Sequence, residues 1–192
     1  MVHRYYHQLS PWQQRVYRQS DQITAVPVPG ATALVEVALA VGQALARGEP
    51  RAIALACDQL LRRVCGRLGV TPPTVTVLAE RPAGYWGELH GLYNPGQGPH
   101  GTITVWMRTA KRSRVVAFRT FLRTLLHEFC HHLDFALLRL SYSFHTTGFY
   151  KRESSLYQQL LPAAGAPSGA TARRGHASIP ETTVNVTVAC GN

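Results

Sequence analysis

Apolar residues recur at helical spacing through the first part of the chain, most regularly at Ile53, Ala56, Leu60, Leu61, Val64 and Leu68. The pair Ser10-Pro11 suits a helix cap followed by the first helical position, and it predicts a helix from 11 to about 22. Two more helices are predicted at 32–47 and 50–68, separated by Gly48-Glu49-Pro50. The first 69 residues are therefore expected to form an N-terminal helical region.

The hydrophobic pattern changes to alternation after Gly69. Residues 74–78 are alternating and rich in β-branched side chains, residues 85–93 form a second candidate strand, and residues 102–107 form a third. A turn-rich stretch, 94–101, separates the second strand from the third. Three short strands in succession favour a small, mainly antiparallel sheet.

A long helix is predicted from about 113 to about 140, and its apolar residues cover most of its circumference. A helix that is apolar on nearly every side is buried within the protein. Residues 148–161 have the pattern of a final amphipathic helix. The predicted fold class is therefore α+β, with the small sheet packed on the buried helix and the N-terminal helices beside them.

Length and composition are those of one packed domain. The chain has 192 residues, of which 45% are hydrophobic, and we expect a single domain at 1–161. It divides into the N-terminal helical region, 1–69, and a second region, 70–161; residues 162–192 are expected to form a flexible tail. The first residues lack the apolar core of a secretory signal, and the longest apolar run is too short to span a bilayer. A cytoplasmic protein with no membrane partner is expected.

The cysteines do not form the pairs that metal or redox sites use. Cys57, Cys65, Cys130 and Cys190 include no Cys-x-x-Cys spacing, which argues against a zinc ribbon or a thioredoxin-like site. Cys57 and Cys65 lie on one predicted helix, about 12 Å apart along its axis, which is too far for a disulfide. Buried, reduced thiols are expected.

The buried helix carries two histidines, His127 and His131, whose spacing places both imidazoles on one face, one turn apart. Imidazoles so arranged can bind one metal ion, each at about 2.0–2.1 Å. Glu128 is offset by one position, where its carboxylate can take a proton from water at the metal. Two histidines and a glutamate on so apolar a helix would be costly to bury without such a partner. The pattern predicts a zinc site with Glu128 as general base.

A catalytic zinc site usually has three protein ligands and one open position, so a third ligand is required. The candidates are His145, Asp134 and Glu153. A single straight helix is poorly shaped to surround a metal, so Asp134 is expected to orient an imidazole instead of binding the ion. A chain reversal between 140 and 144 would return His145 to the site, and His145 is the favoured third ligand. Glu153 is the alternative, unless it forms a surface ion pair.

A resemblance to a known family becomes visible in two segments, Thr124-Leu-Leu-His-Glu-Phe-Cys-His-His-Leu-Asp134 and Phe144-His-Thr-Thr-Gly-Phe-Tyr150. In this order they resemble the SprT-like branch of the zincin metallopeptidases. The resemblance implies a zincin-like fold, peptide hydrolysis, and one zinc held by His127, His131 and His145. It also implies that residues 103–107 form the edge strand along the substrate cleft. Many members of that family carry a Cys-x-x-Cys zinc ribbon, which this chain lacks.

Positive charge is concentrated near the entry to the buried helix, and the formal net charge of the chain is +10. Arg112, Arg119 and Arg123 fall at seven- and four-residue spacings, so on the predicted helix they would form one positive stripe. Such a stripe is either a solvated helix face or a surface that contacts phosphates. The second interpretation is similar to the behaviour of SprT-like proteases that act on DNA-bound proteins.

Three functions are compatible with these features. The first is a zinc metallopeptidase that acts on a protein or peptide, including proteins associated with DNA. The second is a non-catalytic, zinc-containing nucleic-acid-binding domain. It is disfavoured because a structural site normally fills its fourth position with Cys or His, and Cys130 lies on the wrong side of the helix. The third keeps the metal and hydrolyses another substrate, as a nuclease or an amidase.

Overall fold

The structure is a computed structural model that describes residues 3–84, 87–96, 100–110 and 112–161. Within these residues the fold is α+β. The helices are α1 (Pro11–Gln22), α2 (Val35–Arg47), α3 (Pro50–Leu68), α4 (Phe118–Ala136) and α5 (Thr147–Leu160). The strands are β1 (Thr74–Glu80), β2 (Ala83–Gly84), β3 (Gly87–Glu88), β4 (Gly91–Asn94) and β5 (Thr102–Arg108). The predicted tail, 162–192, lies outside the described residues, and so does Cys190.

The N-terminal helices begin and end where local signals predict. α1 starts with a capping box, in which the Ser10 hydroxyl accepts from the Gln13 N–H and the Gln13 side chain accepts from the Ser10 N–H. α3 ends at Gly69, whose φ of 67° is a left-handed conformation that glycine adopts at low cost. The helices predicted at 11–22 and 50–68 are confirmed. The helix predicted at 32–47 begins with a 3-10 turn, Ala31–Leu34, that leads directly into α2.

The three-stranded sheet is mixed, so the prediction of a mainly antiparallel sheet is wrong. The strand order is β1-β5-β4. β5 pairs with β4 in the antiparallel direction, but it pairs with β1 in parallel, with Thr74 opposite Thr102. β4 lies on one side of β5, and β1 lies on the other side. Because β1 and β5 run in the same direction, this pair is parallel.

β5 is the central strand of this sheet, and the expectation that residues 103–107 form an edge strand is wrong. In the described part of the chain, β4 pairs with β5 alone, and it is the edge strand that packs on α4. The single strand predicted at 85–93 corresponds to two strands, β4 and β3, and β3 pairs with β2, which lies before the predicted range. Residues 85 and 86 of that prediction lie outside the described residues.

α4 is shorter at both ends than the helix predicted at 113–140. Before the helix begins, the Val116 N–H donates to the Met107 carbonyl at 2.8 Å, so this segment extends the sheet. After the helix ends, Arg139 adopts a positive φ of 55°, and the chain reverses. The reversal carries residues 141–146 back along the side of α4.

α4 forms the centre of the hydrophobic core, where it packs against the sheet, α2 and α5. Its apolar side chains are almost completely buried at Phe121, Leu122, Leu125, Leu126, Phe129 and Leu133. The buried set of α4 also includes the polar side chains Glu128, His131, His132 and Asp134. A polar cluster inside a core helix requires partners, and these partners come from other elements.

Two expectations drawn from composition can be compared with the described residues. Cys57, Cys65 and Cys130 are buried and unpaired, which confirms reduced thiols at these positions. Among the helices that the structure describes, none has the length and apolar character needed to cross a bilayer.

α1 and α5 meet at a close backbone contact. The Gly148 N–H, in the first turn of α5, donates to the Asp21 carboxylate at 2.9 Å, and a Cβ atom on Gly148 would lie 2.6 Å from the Ser20 carbonyl oxygen. Because backbone atoms cannot move aside as a side-chain tip can, we expect Gly148→Ala to lower the free energy of unfolding by about 1–3 kcal/mol. Urea denaturation measures the change. Gly66→Ala, where a Cβ meets nothing within 4 Å, is the matched control; equal destabilisation of both variants would contradict the packing argument.

Candidate metal centre

Three imidazole rings converge beside α4. The Nε2 atom of His145 lies 3.0 Å from Nε2 of His127 and 3.1 Å from Nε2 of His131. Ligand atoms of the three residues lie within 4.8 Å of one another, and no further His, Cys, Asp or Glu of the described chain joins them. Tetrahedral ligands at about 2.1 Å from a zinc ion would lie about 3.4 Å apart. The cluster could therefore hold a metal ion with little rearrangement.

The contacts on the opposite ring atoms favour a shared cation over contacts between the rings. Nδ1 of His127 faces a carboxylate at 3.0 Å, and Nδ1 of His131 faces a serine hydroxyl at 2.6 Å. When Nδ1 of a neutral imidazole carries the proton, Nε2 presents a lone pair. Nε2 of His145 holds at most one proton and cannot satisfy both lone pairs well. A metal ion, in contrast, could be bound by the Nε2 atoms of all three histidines.

The third histidine reaches the helical pair because α5 begins directly after it. The Thr146 hydroxyl caps α5 by accepting from the Phe149 N–H at 2.9 Å, which fixes the backbone next to His145. The Phe149 ring packs against all three imidazoles, with centroid distances of 5.0, 4.6 and 5.1 Å. The structure thus places His145 beside His127 and His131 by the chain reversal that the sequence predicts.

Glu153, the alternative third ligand, lies behind His127 and is not part of the cluster. Its Oε2 atom is 3.0 Å from Nδ1 of His127, and its Oε1 atom accepts from Arg123 at 3.0 Å. The Glu153 side chain is only 7% exposed, so it does not form the surface ion pair considered from the sequence either. A carboxylate behind a metal-binding imidazole fixes the orientation of the ring and raises its basicity.

Asp134 reaches the second imidazole of the helix through a serine. The Ser143 hydroxyl donates to Asp134 Oδ2 at 2.7 Å and lies 2.6 Å from Nδ1 of His131. The other Asp134 oxygen accepts from Arg152 at 2.8 Å, in an ion pair whose side chains are at most 1% exposed. Asp134 therefore stands behind the cluster, as predicted, but its contact with the imidazole is indirect.

Glu128 lies outside the cluster, against the edge strand. A Cβ atom on Gly91 of β4 would lie 2.5 Å from Glu128 Oε1, so the missing side chain makes room for the carboxylate. Burial raises the pKa of Glu128 to about 7, while His127 and a backbone hydrogen bond from Tyr93 partly offset this effect. A carboxylate that changes its protonation near neutral pH has the properties of a general base.

Burial also keeps two of the imidazoles neutral. The pKa of His131 lies well below its usual range, because burial disfavours the charged ring and His127 and His145 lower it further. Burial, followed by the neighbouring His127, lowers the pKa of His145 to about 3. The neutral imidazole is the form that binds metal ions.

His132, next to His131, faces another part of the core. Its Nε2 atom donates to the Thr71 carbonyl at 2.8 Å, so Nδ1 is left to accept from the Tyr93 hydroxyl at 3.3 Å. Both ring nitrogens are thus used in joining α4 to β4 and to the segment before β1. The contacts of His132 are those of a structural residue.

The three arginines expected to form one stripe do not lie together on a helix. α4 begins at Phe118, so Arg112 lies before it and the helical spacing does not apply. Arg119 is exposed at the start of α4. Arg123 is paired with Glu153, and its guanidinium carbon lies 4.5 Å from the centre of the Tyr157 ring. The prediction of a single stripe is wrong, because Arg112 lies before α4 and the charge of Arg123 is paired with Glu153.

Two supporting residues, Ser143 and Arg152, are not identified by the sequence motif. A serine in a loop has no pattern that distinguishes it. Arg152 does have a weak signal, since it lies between Phe149 and Leu156 on the buried side of α5. A charge on an apolar helix face predicts a buried partner, although the pattern does not name Asp134 as that partner.

The likeness to SprT-like zincins depends on the ordered set His127, Glu128, His131 and His145, and it stays a prediction. The observations that support a function are the geometry of these residues and of the side chains that contact them. Comparisons of this chain with protein-family models, with curated proteins and with solved structures found no match.

Proposed function

We propose that the protein is a zinc-dependent metallopeptidase that hydrolyses peptide bonds with Glu128 as general base. The observation that carries the proposal is the convergence of His127, His131 and His145, with no fourth protein ligand among the described residues. Three protein ligands and one open position are typical of catalytic zinc, whereas structural zinc usually has four protein ligands. A ligand set made only of imidazole nitrogen atoms also suits zinc better than calcium or magnesium, which prefer oxygen.

A zinc ion held by the three imidazoles would activate water near neutral pH and polarise the carbonyl oxygen of a substrate. The chain supplies the remaining parts of the reaction. Glu128 accepts the proton of the water that attacks the carbonyl carbon, and it passes this proton to the leaving amine. Glu153 and Ser143 hold the imidazoles of His127 and His131 so that both Nε2 atoms face the position that the metal would occupy.

A peptide substrate is favoured by the edge strand beside the general base. No second strand among the described residues pairs with β4, although the Tyr93 N–H donates to Glu128. An extended peptide can add to such an edge through backbone hydrogen bonds. Gly91, which contacts Glu128, lies on this strand. A peptide bound along β4 would pass close to Glu128. This placement supports a peptidase over the nuclease and amidase alternatives.

The test is hydrolysis by the zinc-loaded protein. We expect cleavage of an unstructured protein such as casein, or self-cleavage, and we expect a chelator to abolish it. Zinc bound at one ion per chain without hydrolysis of any substrate would support the non-catalytic nucleic-acid-binding domain. Cleavage of nucleic acid or small amides with casein untouched would support the third alternative. Either result would overturn the peptidase proposal.

The proposed substrates include proteins associated with DNA, because two arginines near the active-site helix are available to phosphates. Arg112 and Arg119 are exposed, and neither side chain forms a hydrogen bond or an ion pair with the described residues. Arg112 precedes α4 and Arg119 lies in its first turn, so DNA bound by both side chains would lie near the start of α4. The net charge of +10 supports attraction to a polyanion.

We expect DNA binding that weakens as salt rises, with each phosphate contact on duplex DNA contributing about 0.9 to the log–log slope. Replacing Arg112 and Arg119 with alanine should flatten that slope by up to about two units. Arg123→Ala is the matched control, because its guanidinium is already paired with Glu153. Fluorescence titration at several salt concentrations measures the slopes. An equal change in Arg123→Ala, or no binding by wild type at low salt, would contradict the proposed contact.

A further inference from the structure

We propose that Ser143 sets the tautomer of His131, and that Arg152 links this setting to the end of α1. Through Arg152, the end of α1 in the N-terminal helical region then contributes to the positioning of His131. The inference depends on the metal site of the proposed function, but it does not depend on hydrolysis. It adds Ser143 and Arg152 as positioning residues that act on the metal through His131.

The number of protons available between Asp134 and His131 determines which ring nitrogen of His131 carries its proton. Arg152 only donates and it lowers the pKa of Asp134, but burial has the larger effect and raises this pKa to about 6, so near neutral pH the carboxylate is mainly ionised and only accepts. Ser143 has one hydroxyl proton, and it is directed to Asp134 Oδ2 at 2.7 Å. The Ser143 oxygen must therefore accept the proton of His131 Nδ1, at 2.6 Å. Nε2 of His131 is then left with a lone pair that faces the metal position.

The opposite arrangement is costly. If Nδ1 of His131 had no proton, the Ser143 hydroxyl would turn toward the imidazole and leave Asp134 Oδ2 without this donor. A buried acceptor that loses its donor destabilises the protein, and the cost is larger when the acceptor is charged. The Asp134 side chain is fully buried, so water does not replace the lost bond. The contacts therefore favour the tautomer that binds metal through Nε2.

Arg152 connects the Asp134 carboxylate to α1. Arg152 donates to Asp134, to the Ser20 hydroxyl at 3.0 Å, and to the backbone carbonyls of Ser20 and Ile23 at 2.6 and 2.5 Å. These carbonyls lie at the C-terminal end of α1, where the usual helical donors run out, and the Ser20 carbonyl also accepts from the Ile23 N–H at 3.3 Å. One side chain thus joins α1, α4 and α5. A continuous series of hydrogen bonds runs from α1 to His131.

The tautomer is the direct test, and it needs neither metal nor substrate. Histidine-labelled, metal-free protein gives long-range nitrogen–proton NMR spectra that distinguish a proton on Nδ1 from one on Nε2. We expect His131 to carry its proton on Nδ1 in wild type and to lose this preference in Ser143→Ala. Ser143→Thr keeps the hydroxyl and should restore it. A proton on Nε2 in wild type, or an unchanged spectrum in Ser143→Ala, would overturn the proposal.

Zinc affinity is the second readout, measured by competition with a chelating dye. Loss of a hydrogen bond to a metal-binding histidine typically weakens metal binding by about 10- to 100-fold, and we expect a loss of this size in Ser143→Ala. Ser141→Ala, an exposed serine of the same loop, is the matched control and should bind as wild type does. Equal affinity in the wild type and in Ser143→Ala would contradict the inference. Normal affinity with no hydrolysis in wild type would contradict only the peptidase proposal.

The link to α1 can be measured without removing the buried arginine, whose loss could unfold the protein. Coupling between two sites is reciprocal, so zinc should stabilise the end of α1 through Arg152. We expect zinc to slow amide hydrogen exchange at residues 20–23 more than in the distant helix α3. In Ser143→Ala this excess protection should disappear. Uniform protection of α1 and α3 in wild type would show that zinc acts on global stability alone and would overturn the link.

Discussion

Replacing Glu128 with glutamine is expected to reduce peptide hydrolysis by about 10²–10⁴-fold, which is the contribution of a positioned general base. Glutamine has nearly the same shape as glutamate, so it should occupy the space against Gly91 without disturbing β4. It cannot accept a proton from water. Because Glu128 is not one of the three clustered residues, zinc should remain bound in the variant.

Rates with a fluorogenic peptide and zinc content after dialysis check both halves of this prediction. Glu36→Gln is the matched control, since it makes the same chemical change at an exposed position of α2. Near-normal turnover by Glu128→Gln would remove the general base from the mechanism. Loss of zinc from the variant would instead indicate that Glu128 contributes to metal binding.

Replacing His145 with alanine is expected to abolish stable zinc binding, and hydrolysis with it. The two remaining imidazoles lie on one helix and approach the metal from one side only. The loss should exceed the roughly 10- to 100-fold effect of removing a supporting hydrogen bond, because a direct ligand is lost. Folding should persist, since His145 lies in a loop and α5 keeps its cap at Thr146.

Metal analysis after dialysis and circular dichroism measure these two outcomes together. His7→Ala removes an exposed histidine from the N-terminal segment and serves as the control for a general effect of histidine loss. Full zinc retention by His145→Ala would mean that Glu153 or Asp134 had replaced it as the third ligand. That result would require the contacts of Glu153 with Arg123, or of Asp134 with Arg152, to break first.

The elements that the sequence predicts best are those whose signals lie within a few residues. Ser10, Gln13 and Gly69 define helix ends by contacts to their own neighbours, so they can be recognised without knowledge of the fold. The ends of α4 depend on a bond to β5 and on the left-handed backbone of Arg139. Apolar periodicity continues through both ends, which explains why the predicted helix is too long.

Strand pairing shows the same limit. Alternating residues identify the regions of β1 and β5, but they do not say which strands become neighbours. The parallel pairing of Thr74 with Thr102 depends on which side of β5 receives β4. That choice is made by packing on α4, where Gly91 and Tyr93 contact Glu128 and His132. Contacts of this kind are not visible in a local pattern.

In the candidate site, too, local spacing predicts some features, whereas contacts between distant residues are not predicted. His127, Glu128 and His131 are predicted by spacing on one helix, and His145 by its place after the chain reversal. Spacing alone groups Arg123 with Arg112 and Arg119, because the sequence shows a charge but not the partner of that charge. The partner of Arg123, Glu153, lies 30 positions away, and Arg152 reaches backbone 132 positions before it.

The long reach of Arg152 has a consequence for the order in which the protein is made. A growing chain that has emerged only as far as α4 has His127, Glu128 and His131 but lacks His145, Ser143 and the anchor of Asp134. The N-terminal segment emerges first, and it must wait for α5 before its carbonyls can meet Arg152. The candidate metal centre therefore cannot be complete before α5 has been synthesised. If the chain hydrolyses peptide bonds as proposed, a nascent chain would lack that activity until α5 has left the ribosome.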